Sequence, residues 1–194
     1  MNIDCISTVL SHLDINEYEE AVDVLPDREQ LQIAKYWKIY TKYEGIESKI
    51  GTIKYYRNGK LHRDGDLPAI EQINGIKYWY KNDKLHRNGD LPAVIESNGS
   101  VEWWVNGTLH RDGDLPALVW YYSNQVYKKE WRKNGMLHRD GDLPAIEYSD
   151  GIKAWYRNGK THRDGDLPAI KYSCGAEEWW KNGIQYYPNN NPNN

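Results

Sequence analysis

The sequence has no phenylalanine, only two methionines and two cysteines, and no long apolar run. Its aromatic residues are instead 16 tyrosines and nine tryptophans, so most of its large apolar side chains also carry a polar atom. Such side chains favour half-exposed sheets and binding surfaces. No segment approaches the ~20 apolar residues of a membrane-spanning helix, which argues against a transmembrane protein.

The two cysteines and the first residues of the chain indicate the cellular compartment of the protein. Cys5 and Cys174 lie far apart and in no metal-binding spacing. We therefore expect reduced thiols and a cytoplasmic, intracellular protein. The beginning of the chain contains acids and no basic segment, so we expect no signal peptide.

No excess of one charge dominates the chain. The formal net charge is −3, which argues against strong attraction to nucleic acid. Residues 1–50 contain 10 acids and 5 bases, whereas the remainder contains 18 acids and 20 bases. The beginning is thus acidic, and the rest is nearly neutral.

The most informative feature is an octet, His-Arg-Asp-Gly-Asp-Leu-Pro-Ala, that recurs along the chain. It begins at His62, His86, His110, His138 and His162, at steps of 24, 24, 28 and 24 residues. An Asn-Gly or Asn-Asp pair keeps the same phase, from Asn58 to Asn182. A period of this length is typical of an array of similar units that bury their core by stacking.

Each unit predicts a β-hairpin followed by a connector. In the second unit the hairpin has a strand at 69–71, a turn at Asn74-Gly75 and a return strand at 77–80. The connector from Asn82 to Pro92 is rich in turn residues, so we expect mostly irregular structure there. The chain therefore predicts a mainly β fold, an elongated antiparallel sheet or solenoid of about six hairpins. Their turns are expected near Gly51, Gly75, Gly99, Ser123-Asn124, Gly151 and Gly175.

The interval of 28 residues places four extra residues between Leu118 and Trp131. Two extra residues on each strand preserve the inward and outward phase, because side chains alternate with a period of two. We expect one longer, protruding hairpin at this position.

The two ends of the chain differ from the array. Residues 1–45 have helical spacing and predict a small helical cap or head, residues 46–187 form the array, and the Asn- and Pro-rich tail 188–194 predicts disorder. Three short helices bury little by themselves, so the head is expected to cover one end of the array.

Two aromatic columns run through the units at adjacent positions. We interpret the first column as the stacked structural core; its members are Tyr55, Trp79, Trp103, Trp131, Trp155 and Trp179. Adjacent strand residues point to opposite faces, so the second column is a candidate partner-binding strip. Its aromatic members are Tyr56, Tyr80, Trp104, Tyr156 and Trp180. The sequence does not decide which column faces solvent.

The histidines and aspartates of the octet invite a metal hypothesis, but equivalent residues would lie roughly 10 Å apart on successive units, too far to share an ion. We expect structural roles for all five octet histidines and for Asp66, Asp90, Asp114, Asp142 and Asp166. A catalytic group is normally unique, whereas these residues recur about five times. The sequence therefore predicts no enzyme, no cofactor and no metal.

The core Trp-Tyr-x-Asn-Gly-Lys-x-His-x-x-Gly, as in residues 155–165, resembles a variant MORN repeat over residues 46–187. Repeats of this variant kind are similar to those found in large DNA viruses and some bacteria. The resemblance implies an extended sheet of hairpins with protein- or membrane-binding roles, and a viral origin would place the protein in host cytoplasm. The array lacks the basic excess that anionic phospholipid favours.

The head is faintly similar to the start of an F-box, through Leu10 and Leu13 and the residues that follow. A plain capping function for these helices is the alternative. Together these patterns favour a non-enzymatic scaffold for protein–protein interaction, with the head, including Leu10 and Leu13, recruiting a second partner. The alternatives are carbohydrate or small-ligand binding by the aromatic strips, and a structural protein that self-assembles through an edge strand.

Overall fold

The computed structural model describes residues 45–49 and 51–188, with side chains from residue 51 onward. This part of the chain is mainly β, as the sequence predicts, and contains 22 strands and no helix. Residues 1–44 of the predicted helical head and the tail after Pro188 lie outside the described residues, whereas Gly45, predicted as the end of the head, begins a strand.

Six antiparallel hairpins form one long sheet, and all six turns lie where the sequence predicts them. The hairpins are β1 (Gly45–Lys49) with β2 (Thr52–Arg57), β4 (Ile70–Gln72) with β5 (Lys77–Tyr78), β8 (Val94–Ile95) with β9 (Val101–Glu102), β12 (Leu118–Tyr122) with β13 (Gln125–Glu130), β16 (Ile146–Tyr148) with β17 (Lys153–Ala154), and β20 (Ile170–Lys171) with β21 (Glu177–Lys181). Each hairpin pairs with the next, so strand order follows chain order throughout.

The connectors contain a second set of small hairpins that the sequence reading missed. They are β3 (Lys60–Leu61) on the end of β2, β6 (Tyr80–Lys81) with β7 (Lys84–Leu85), β10 (Trp104–Val105) with β11 (Thr108–Leu109), β14 (Arg132–Lys133) with β15 (Met136–Leu137), β18 (Tyr156–Arg157) with β19 (Lys160–Thr161), and β22 (Ile184–Tyr186) on the end of β21. Their turns are the Asn-Gly pairs and, between β6 and β7, Asn82-Asp83. Both turn residues have positive φ, as at Asn106 (52°) and Gly107 (83°), which is the conformation that two-residue hairpin turns require.

The longer hairpin β12–β13 lies at the position of the four extra residues. Its strands have five and six residues, as in β1–β2 at the start of the sheet, against two or three in β4, β5, β8 and β9. A register shift after Trp120 leaves Tyr127 as an additional residue on β13. This β-bulge, which the sequence did not predict, shifts the register by one residue, and the pairing continues to the turn as Tyr121–Val126 and Tyr122–Gln125.

The alanine that ends each octet is the tightest point of the packing. Ala69, Ala93, Ala117, Ala145 and Ala169 are each 0% exposed. Ala117 shows why: its carbonyl accepts the N–H of Trp103 at 2.8 Å, and its own N–H donates to the carbonyl of Glu130 at 2.8 Å. These hydrogen bonds fix the backbone between two hairpins, and the methyl group is fully buried. A larger side chain therefore has no space unless the hairpins move apart.

The sheet has two distinct faces. Residues that are directly opposite on neighbouring strands share a face, so the pairing traces one row across the sheet. We call the side of the sheet that carries this row the aromatic face. The row consists of Ile70, Tyr78, Val94, Glu102, Leu118, Glu130, Ile146, Ala154, Ile170 and Glu178. The other side, which we call the arginine face, carries Glu71, Lys77, Ile95, Val101, Val119, Lys129, Glu147, Lys153, Lys171 and Glu177.

Candidate partner-binding site

The histidine of each octet bonds to the next Asn-Gly turn along the chain. Its Nδ1 accepts the backbone N–H of an asparagine at 3.1–3.3 Å, in the pairs His62–Asn82, His86–Asn106, His110–Asn134, His138–Asn158 and His162–Asn182. This contact fits the tautomer with the ring hydrogen on Nε2, and Nε2 lies 2.8–3.2 Å from the side-chain oxygen two residues later. In His62, Nδ1 also lies 3.0 Å from the side-chain oxygen of Asn82. Both ring nitrogens are engaged within the array.

The octet arginine binds the second aspartate of the preceding octet. Arg87 donates from Nε and Nη2 to the two carboxylate oxygens of Asp66, at 2.6 and 2.7 Å. The same two-bond contact joins Arg111 to Asp90, Arg139 to Asp114, and Arg163 to Asp142. These hydrogen bonds lower the pKa of all four aspartates below the ordinary value.

The same arginines cover the first aromatic column on the arginine face. Each guanidinium lies 3.7–3.9 Å from a ring centroid, in the pairs Arg63–Tyr55, Arg87–Trp79, Arg111–Trp103, Arg139–Trp131 and Arg163–Trp155. Tyr55, Trp79, Trp131 and Trp155 are buried, and Trp103 and Trp179 are half-buried. This contact is a cation–π stack on a planar ring.

The two ends of this arginine ladder differ from its middle. Arg63, in the first octet, has no preceding octet to supply an aspartate, and it pairs with Glu71 on β4. Its buried Nε has no hydrogen-bond partner in the part of the chain that the structure describes. Asp166, in the last octet, is exposed and has no arginine beside it among residues 51–188. The four internal contacts are therefore the ones that join successive units.

The aromatic members of the second column are half-buried, and residues 80, 104, 132, 156 and 180 of this column lie on the aromatic face. Trp104 donates its indole N–H to Glu102 at 2.6 Å, and Trp180 donates to Glu178 at 2.7 Å. The rings of Tyr80 and Tyr78 lie 6.5 Å apart. Because Glu102, Glu178 and Tyr78 belong to the aromatic face, these contacts fix the side on which the strip lies.

The fourth unit departs from this strip. Arg132 replaces the aromatic residue and donates to Glu130 at 2.7 Å, while Lys128 Nζ lies 2.9 Å from the other oxygen of Glu130. Burial alone would raise the pKa of Glu130, but the hydrogen bonds from Lys128 and Arg132 outweigh it and hold the pKa below its usual value. This glutamate is thus neutralised within the chain.

The long hairpin adds an exposed aromatic cluster to the same face, which the sequence reading did not identify as a site. The side chains of Trp120, Tyr122 and Tyr127 are 47%, 73% and 46% exposed. Tyr127 makes edge contacts with Tyr122 and with Tyr148, at 6.4 and 5.7 Å between centroids. The signal in the sequence was the longer stretch itself, because residues 118–131 contain three tyrosines and two tryptophans.

A shallow cleft of about 290 Å³ lies between the fourth and fifth octets, lined in part by Trp155, His162 and Asp164. Its charged groups bond to one another: Asp164 accepts from Arg157 and from His162. These bonds lower the pKa of Asp164 to about 2. These charged groups of the cleft are therefore paired with each other, whereas the buried indole nitrogen of Trp155 has no hydrogen-bond partner among the described residues.

Among the residues described, no group of three His, Cys, Asp or Glu side chains is placed to hold a metal ion. Within the same ranges, no helix is long and apolar enough to cross a membrane. Cys174 is an exposed free thiol. Leu10 and Leu13, proposed as head contacts, lie outside the described residues.

Comparison with protein-family models, with curated proteins and with solved structures found no match to this chain.

Proposed function

We propose that the protein is a non-enzymatic repeat scaffold, an elongated array of MORN-like units whose aromatic face binds a partner protein. One observation carries this proposal. The polar groups of the octets bond to each other, whereas the aromatic strip lies half-exposed across successive hairpins beside the exposed cluster of the long hairpin. Contiguous aromatic surface of this kind is typical of protein–protein contacts, where tyrosine and tryptophan are enriched.

The test is a pull-down from lysate with the full chain and quantitative mass spectrometry. A Trp104→Ala/Tyr156→Ala variant removes two members of the strip, and a Lys129→Ala/Lys153→Ala variant is the matched control on the arginine face. We expect a defined set of proteins to be lost from the strip variant and kept by the control. Equal capture by wild type and both variants, with near-ultraviolet circular dichroism unchanged, would reject the aromatic face as the binding surface.

The head is proposed to recruit a second partner. A Leu10→Asp/Leu13→Asp variant of the full chain tests this separately, because the aromatic face is unchanged in it. Loss of a protein set different from the set lost by the strip variant would support two binding regions. If no protein is lost, the head does not recruit a partner, and its remaining function is to cap the array.

Binding of carbohydrate or a small ligand is the second candidate function. The cleft beside Trp155 favours it, because its volume of about 290 Å³ is at the lower end for ligand sites. Screening the wild type on a glycan array tests this candidate, and Tyr156→Ala should abolish any signal that arises at the cleft.

A further inference from the structure

Two neighbouring carboxylates on the aromatic face have no lysine or arginine partner among the described residues. Glu96 and Glu102 lie diagonally across hairpin β8–β9, since Val94 is opposite Glu102 and the N–H of Glu96 donates to Ser100. Glu102 accepts only the Trp104 indole, and no lysine or arginine of the described residues bonds to Glu96 or Glu102. Burial, together with the neighbouring charge of Glu102, raises the pKa of Glu96.

The fourth unit shows how the chain neutralises a glutamate at the equivalent position. Glu130 occupies the place in β13 that Glu102 occupies in β9, and it receives Arg132 and Lys128. In the third unit the residues corresponding to those two cations are Trp104 and Ser100. The carboxylate is therefore retained, and both cations are replaced by uncharged side chains.

The surroundings of Glu102 suit a cationic side chain. Tyr78, Tyr80 and Trp104 lie on the same face as the two glutamates, and an ammonium or guanidinium is attracted to the face of such rings. The long hairpin shows this contact within the chain, because Lys128 Nζ lies 5.3 Å from the ring centroid of Trp120.

We propose that the aromatic face binds a polypeptide partner through a lysine or arginine side chain, which bonds to Glu96 and Glu102 and packs on Tyr80 and Trp104. This inference rests on the proposed function and specifies the chemistry of the partner. A polypeptide fits better than a small free cation, because the exposed rings of the long hairpin, on the neighbouring hairpin of the same face, add apolar contact area.

The test uses two synthetic heptapeptides, one with alternating serine, leucine and lysine and one with glutamate in place of lysine. Isothermal titration of the full chain at low salt should show binding of the lysine peptide only. Glu96→Gln/Glu102→Gln should raise its Kd about tenfold, a change that corresponds to about 1.4 kcal/mol. Glu177→Gln, on the arginine face, is the matched control and should leave the Kd unchanged.

A second variant fills the site from within the chain. Trp104→Arg introduces the residue that bonds to Glu130 in the fourth unit, and it leaves buried Ser100 unchanged. It should abolish peptide binding while the protein remains folded. Equal binding of both peptides, or an unchanged Kd in the glutamate and filling variants, would overturn the proposal. Equally tight binding of N-acetyl-lysine amide alone would also overturn it, in favour of a small-molecule site.

The two proposals can fail separately. If the strip variant loses its lysate partners while the lysine peptide does not bind, the aromatic face binds protein by another chemistry and only this inference is wrong. If the strip variant loses no partner, the proposed function is wrong as well.

Discussion

The octet arginine makes three different kinds of contact. Arg111 stacks on Trp103, forms two hydrogen bonds with Asp90 and donates Nη1 to the carbonyl of Pro116 at 3.3 Å. A lysine at this position would keep the charge, but it could neither stack as a plane nor form the paired bonds. The residue type is therefore set by geometry more than by charge.

We predict that Arg111→Lys lowers the free energy of unfolding by about 1–2 kcal/mol, since it removes a stack and a charge-assisted hydrogen bond. Urea denaturation measures the change. Arg157→Lys is the control: Arg157 pairs with exposed Asp164 on the surface and stacks on no ring of the first column, so it should change stability by less than about 0.5 kcal/mol. Equal effects of the two substitutions would show that the stack contributes nothing.

At this scale the sequence predicted less than the structure shows. The repetition of Asp66 and its equivalents predicted a structural role for them. It could not show that each arginine bonds to the preceding octet. Asp66 and Arg87 are 21 residues apart in the sequence, and only the pairing of the strands between them brings their side chains together. The spacing of the arginines and tryptophans in the sequence did not indicate that they stack.

Among the elements, the long hairpin β12–β13 is the one that departs from the others. Its existence followed from the 28-residue step, because an even number of extra residues on the two strands leaves Leu118 and Glu130 in the same row as Ile146 and Ala154. The bulge at Tyr127 was not predictable, since it depends on how the turn closes.

Shortening this hairpin tests whether it is dispensable for folding. Replacing residues 120–128 with Tyr-Ser-Asp-Gly-Lys, the sequence of residues 148–151 followed by the lysine that bonds to Glu130, restores a 24-residue unit. Because the row on the aromatic face is kept, we expect cooperative unfolding and a loss of less than about 1 kcal/mol, in the range of a tolerated surface change. Loss of the cooperative transition in urea would mean that the long hairpin is needed for the fold.

The small hairpins, unlike the long one, could not be predicted from the sequence. The Asn-Gly pairs were recognised as turns, but each flanking strand has only two residues, as in Tyr80–Lys81 and Lys84–Leu85. Two residues cannot display alternation, so these strands have no pattern of their own. Their pairing depends on stacking, because the turn N–H of one hairpin donates to the preceding one, as Gly107 does to Leu85 at 2.8 Å.

On the scale of the whole molecule, carboxylate–arginine bonds join successive units and make stability depend on acid. The pKa values of Asp66, Asp90, Asp114 and Asp142 are lowered in the folded state by hydrogen bonds from arginine. A lowered folded pKa contributes stability above the unfolded value, near 3.9, and that stability is lost as pH falls through the folded pKa. We therefore expect the melting temperature to fall steeply below about pH 4.

The corresponding variant carries asparagine at these four aspartates. It should melt at a lower temperature than wild type at pH 7, with a smaller further decrease below pH 4, because four of the titrating groups are gone. Calorimetric melting curves between pH 7 and pH 2.5 measure both effects. Parallel pH profiles for the variant and wild type would show that these bonds do not control the acid response.

The period of the sequence predicted the antiparallel sheet and its turns, but it could not orient the two faces. Alternation places Trp103 and Trp104 on opposite sides, yet only the stacked arginine decides that Trp103 is covered. The position of the candidate site on the aromatic face therefore required the structure.

The most direct test of the scaffold function is site-specific photo-cross-linking with the full chain in lysate. A photoreactive phenylalanine analogue replaces Tyr156 on the aromatic face or, in a separate variant, Lys153 on the arginine face. Our account predicts that the label at position 156 yields a discrete cross-linked protein, and that the label at position 153 does not. A discrete adduct from position 153 alone, or none from either position, would contradict it.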